Sequence, residues 1–237
     1  MDEPIIVDFS RPMPVFPLPG VVVLPHAVRP LHIFEPRYRQ MIANGLEEAE
    51  AHGPGQGGQL AMACLAPRCG ESPVCLRPVV CIGRIVEHEP LPDGRSNIRI
   101  QGLCRARITG VHEPEGKRLY HMVDLTPVEP AAQSLPDLPG FRDRLRRLLG
   151  GERLSRMQSV QGLIYWLDQD EVPVHALVEL VAHELINDDD QRYAVLAEAD
   201  PRCRARIVHR ELLSLDRLIA ATDRQSWRDW PKGLSWN

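Results

Sequence analysis

Reactive side chains crowd into RPLHIFEPRYRQM, residues 29–41, where His32, Glu35, Arg37 and Tyr38 fall within seven positions. An imidazole and a carboxylate can share general acid–base work, but only when a partner holds them within hydrogen-bond reach. His32 and Glu35 have no such local partner. The stretch therefore reads as a junction whose side chains rim a docking cleft, not as a reactive centre.

Other constellations fail on spacing. Cys64, Cys69, Cys75 and Cys81 are separated by four, five and five residues, wider than the tight pairs of structural zinc sites. Cys64 and Cys81 lie in apolar runs and behave as small hydrophobes; Cys69 and Cys75, on a Pro-rich connection, are the exposed thiols. The run AHELIN resembles a zinc-protease HExxH, but Asn187 stands where the second histidine belongs. His175, Glu179 and His183 share one helix face opposite the stripe of Val174, Leu177, Val178, Val181 and Leu185, and that face reads as solvated, without metal. GVHEPEGKR has one residue too many for a phosphate loop, and Arg118 replaces the hydroxyl that would hold magnesium. Arg95, Arg99, Arg105 and Arg107 are an alternative RNA-binding set along two hairpins, but no aromatic residues interleave with them to stack bases. Three of the four tryptophans, Trp227, Trp230 and Trp236, sit in the tail; they either dock on the body or present themselves to a partner.

Two kinds of periodicity must position these groups. Through about Thr126 the chain carries short Val/Ile/Leu runs punctuated by Pro and Gly, the pattern of strands. Arg29 to Phe34 reads as a strand. A helix then starts at Pro36, which needs no backbone donor at the first helical position, and buries Tyr38, Met41, Ile42 and Leu46 on one stripe. MPVFPLPGVVVLP predicts two extended segments around Pro19-Gly20. Asp93-Gly94 marks a tight hairpin turn, and PEGK closes a second hairpin; HGPGQGG reads as a flexible insertion. From Phe141 the period becomes helical, with helices predicted over Phe141–Leu149, Arg153–Leu167, Pro173–Ile186, Asp189–Ala199 and Pro201–Thr222. The chain divides into a β domain with linker, residues 1–137, and a helical bundle with a Trp-rich tail, residues 138–237. The fold class is α+β: a partly open antiparallel barrel with one early helix, then a helical bundle.

At 237 residues the chain can bury its own core without disulfide or metal. A net charge of -4 argues against phosphate-backbone neutralisation as the main task, so nucleic acid is not the expected partner. The N-terminus MDEPIIVDFS is acidic where a secretory signal is basic, and no apolar run approaches the about 20 residues of a membrane span. A cytoplasmic protein with six free thiols is expected.

PVFPLPGVVVLPHAVRPLHIFEPRYRQMI followed by CIGRIVEHEPLPDGRSNIRIQGLCRARI resembles the N-terminal domain of Lon-type ATP-dependent proteases from about Met13 to Thr126. HALVELVAHELINDDDQRYAVLAEADPRCRARIVHRELLSLDRLI is similar to the bundle that follows in that family. The resemblance implies a barrel related to the PUA fold, polypeptide substrate recognition, and a domain that also occurs free-standing. Without ATPase and peptidase modules, it implies a non-catalytic module with no cofactor. The expected partner is unfolded or extended polypeptide, or a protein partner such as a protease, held at a rim of His32, Glu35, Arg37 and Tyr38.

Overall fold

The computed structural model describes residues 5–52, 58–66, 75–129 and 138–224. Strands β1 (Met13–Leu18) and β2 (Val28–Ile33) precede helix α1 (Pro36–His52); β3 (Gln59–Cys64), β4 (Val79–Pro90), β5 (Ser96–His112) and β6 (Met122–Pro127) follow. Then come α2 (Phe141–Leu149), a 3-10 turn over Leu154–Arg156, α3 (Gln158–Leu167), α4 (Val174–Leu185), α5 (Asp189–Ala197) and α6 (Pro201–Arg224). The tryptophan tail, Cys69 and most of HGPGQGG lie outside the described residues.

Strand order is β2-β5-β4-β3-β1-β6, and β5 also pairs with β6, which closes the sheet on itself. β5 makes closure possible because it is 17 residues long. Its first half pairs with β2 and its second half with β6, while β4 runs alongside most of it. The expected all-antiparallel sheet is corrected at one place: β1 and β3 run parallel, Val15 opposite Ala61 through Leu18 opposite Cys64. The chain between them makes β2 and α1, an excursion long enough to bring it back in the same direction. The sheet is therefore mixed. Only Met13–Leu18 of MPVFPLPGVVVLP joins a strand; Val22, Val23 and Leu24 are buried as loop residues after the Gly20 turn.

Local signals act as their chemistry requires. At the Asp93-Gly94 turn Gly94 has φ of 77°, and the Leu91 N–H donates to the Arg95 carbonyl at 2.8 Å. The Glu35 carbonyl accepts from the N–H groups of Tyr38 and Arg39, opening α1 at Pro36. Asp188 caps α5 and Asp200 caps α6, each accepting a backbone N–H at 2.8 Å. The helix predicted over Arg153–Leu167 divides, because Met157 is extended and separates the 3-10 turn from α3.

Side-chain alternation gives the sheet two dry faces. Val15, Ala61, Ala63, Val80, Ile82, Ala106 and Val123 fill the barrel interior. Leu60, Met62, Cys81, Ile98 and Ile100 point the other way, into a second core. That core takes in Tyr38, Met41 and Ile42 of α1 and continues into Leu145, Leu163, Leu177, Val181, Val208 and Leu212 of the helices. Residue 138 thus divides strand from helix, while the larger core runs across it.

Candidate functional site

β3 pairs with β4 only as far as Gln59 opposite Arg84, whereas β4 continues to Pro90 with β5 as its partner. Beyond Ile85, therefore, one edge of β4 has no strand beside it among the described residues. Helix α1 lies across from this arm, and a cleft of 600 Å³ separates them. Ile42, Ala43 and Leu46 form its helical wall; His88, Pro90 and Leu91 form its strand wall. Arg39 and Arg95 stand at the cleft as cations. A strand edge with no strand beside it, close to an apolar helical wall, is what an extended peptide needs in order to bind as an added strand.

The four residues of the expected rim do not converge. His32 is exposed: its Nδ1 lies 2.8 Å from Asn97 Oδ1, its Nε2 is 3.4 Å from Arg95, and its ring stacks on exposed Phe34. It lines a separate hollow beside Pro30, Leu31 and Glu87. Glu35 and Arg37 pair with each other at 2.8 Å. Tyr38 is corrected from rim to core. It is 5% exposed, its ring centroid is 4.4 Å from that of Phe16, and the Arg37 guanidinium covers its ring at 4.5 Å. The sequence places Leu46 on the buried stripe of the helix, and the expected rim includes none of Arg39, Ala43 and Leu46. With Pro36 they follow a three-and-four spacing beside the core stripe, sharing Leu46 with it, and that second stripe is the signal that could have found them.

Where barrel meets bundle, Arg105 of β5 and Arg204 of α6 face Glu179 of α4 and Glu129. Arg105 contacts Glu179 at 2.6 Å and Glu129 at 3.2 Å; Arg204 contacts Glu129 at 2.5 Å and Glu179 at 2.8 Å. Arg105 also donates to the Leu196 and Val195 carbonyls, and Arg204 to those of Glu198 and Ala199. Arg105, Glu179 and Arg204 are each 1% exposed. Two expectations are corrected here: Glu179 is not on a solvated face, and Arg105 is not on an RNA-facing surface. Both side chains find their partners only in the folded chain.

A family model for the ATP-dependent protease La (LON) substrate-binding domain matches residues 12–214, from the start of β1 into α6. The chain belongs to this family. Solved structures agree on the fold of the LON substrate-binding domain. The N-terminal domain of Mycobacterium avium complex Lon protease superposes with a TM-score of 0.63 at 19% identity, over 86% of this chain and 98% of the other. A Lon N-terminal domain protein from Xanthomonas campestris gives 0.58 at 21% identity, over 86% and 96%. No curated protein matches the chain. The LON match spans both barrel and helices, so the buried Arg–Glu seam lies within the matched residues.

Elsewhere on this LON domain, several of the remaining candidate groups are paired or buried. Arg95 pairs with Asp93 at 2.5 Å and its hydrogen bond draws the Asp93 carboxyl down to about 2; Arg99 pairs with Glu87 at 3.0 Å. Arg107 is exposed, so the four arginines do not form one surface. Burial pushes the thiols of Cys64 and Cys104 up to about 11 and raises that of Cys81 as well, which keeps them protonated and poorly nucleophilic. Cys75 is disulfide-bonded, correcting the expectation that every cysteine remains a thiol. Burial, with Arg192 and Arg29 nearby, lowers His183 to about 4, so it is a neutral imidazole. No helix among the described residues is long and apolar enough to cross a membrane.

Proposed function

We propose that this chain binds extended or poorly folded polypeptide in the cleft between α1 and the arm of β4, and acts as a non-catalytic module that presents it to a protein partner such as a protease. The observation that carries this reading is the edge of β4 beyond Ile85, which has no strand on the side away from β5 among the described residues, beside the cleft that α1 forms with the β4–β5 hairpin. Backbone hydrogen bonds to that edge would supply affinity without selecting one sequence, and Ile42, Ala43 and Leu46 would cover alternate side chains of the guest. Membership of a family described as substrate-binding supports the same reading.

The test is fluorescence anisotropy with a dye-labelled, permanently unfolded polypeptide such as carboxymethylated lactalbumin. Ala43→Glu places a charge in the apolar wall and should weaken binding by at least about tenfold, equivalent to about 1.4 kcal/mol, while the melting temperature stays near that of the wild type. Unchanged affinity in that variant would remove the cleft from the function.

A further inference from the structure

On the far part of the fold, α2 and α6 enclose a pocket of 280 Å³ with a character unlike the cleft. Its base is apolar: Leu138, Phe141 and Ala205 are buried there. Its rim is cationic, formed by Arg144, Arg202 and Arg206, and His209 stands beside the ring of Phe141 with centroids 6.5 Å apart. The Arg144 guanidinium lies 5.8 Å from the same ring.

Other exposed arginines, such as Arg37, Arg95, Arg99, Arg153 and Arg156, each pair with a carboxylate. Arg144, Arg202 and Arg206 form no ion pair among the described residues. Asp200 accepts the Arg202 backbone N–H and the Cys203 thiol and feels the charges of Arg202 and Arg206, but it does not line the pocket. Three guanidinium groups without an ion pair among the described residues, gathered around one apolar hollow, make a local positive field on a chain of net charge -4. Guanidinium forks match phosphate oxygens in pairs, and more than one fork suits a dianion better than a single carboxylate. The ring of Phe141 offers a face for a planar group.

We propose that the α2–α6 pocket is a binding site for a small phosphate monoester carrying a planar apolar body. The phosphate sits among Arg144, Arg202 and Arg206, and the ring enters over Phe141 and Ala205. This site stands apart from the polypeptide cleft and does not depend on it.

Isothermal titration of the full chain with phenyl phosphate, inorganic phosphate and phenol separates the contributions. Phenyl phosphate should bind with one site per chain and at least about tenfold tighter than inorganic phosphate, because only it uses both rim and base; phenol should give no measurable binding. Arg202→Ala combined with Arg206→Ala should weaken phenyl phosphate by more than about tenfold, whereas Arg217→Ala, on α6 away from the pocket, should change nothing. These side chains are exposed, so the melting temperature reports whether the variants fold. Adenosine 5′-monophosphate tests whether the ring is carried through a sugar: tighter binding than phenyl phosphate assigns the body to a nucleobase, weaker binding to a ring borne directly on the phosphate, and either supports the pocket. No binding of any phosphate, or binding that the double variant leaves intact, overturns the proposal.

Discussion

Arg105 lies between Cys104 and Ala106, which pack toward the barrel interior, so alternation sends its side chain out through the opposite face of β5. There it meets Glu179 and Glu129 in place of water, and Arg204 completes a set of two cations and two anions. Such a set gains little over an apolar packing of the same shape, since desolvation offsets the attraction, but losing one member leaves its partners charged and buried. Glu179→Ala should therefore lower the unfolding free energy by about 3–5 kcal/mol in urea denaturation. A loss below about 1 kcal/mol, the range of an exposed pair, would show that the seam is wetter than its burial indicates. None of this was legible at the level of residues. An arginine on an alternating strand and a glutamate on a helix both read as solvated when the sequence cannot say what each will face. For Tyr38 the sequence supports both a place on the buried stripe of α1 and one at the rim, and only the packing of its ring on Phe16 decides for the stripe.

Among the elements, β5 carries most of the architecture because it serves two neighbours in succession, β2 and then β6. The change of partner falls at Gly102. Its N–H donates to the Ala27 carbonyl and its carbonyl accepts from the His26 N–H, both at 2.9 Å, and a Cβ there would overlap the Leu24 carbonyl. Gly102→Ala should cost about 1–3 kcal/mol or more of stability, as overpacking against backbone does, and chemical denaturation would read it; near-wild-type stability would mean that the loop before β2 yields freely. The turn at Asp93-Gly94, the start of α1 at Pro36 and the start of α6 at Asp200-Pro201 were readable because each rests on one or two adjacent residues. The parallel pairing of β1 with β3 was not readable, since it is a choice between segments some forty positions apart. The same holds for the cleft: its helical wall lies in a local repeat, but its strand wall exists only because β3 stops short of the end of β4.

At the scale of the molecule, the larger core passes from Leu60 and Ile100 of the barrel to Leu177 and Val208 of the helices without a break. A shared core makes partial opening expensive, because separating the halves would expose apolar surface on both. Hydrogen exchange should accordingly give the slowest amides of β3 and β4 and those of α4 and α6 a common opening free energy. A bundle that opens about 2 kcal/mol or more below the barrel would show two independent units. The amino-acid order by itself determined most of the strands and helices and where the turns and caps fall, because each depends on periodicities of two or 3.6 residues and on nearby side chains; the likeness to Lon N-terminal domains rests on the particular residues of its Pro- and Gly-punctuated strings. Only the tertiary structure decided that the sheet is mixed, that the strand-to-helix change does not divide the core, and which charged groups are buried together. Those outcomes depend on contacts between residues far apart in the chain, whose energy appears only when water has been removed from between them.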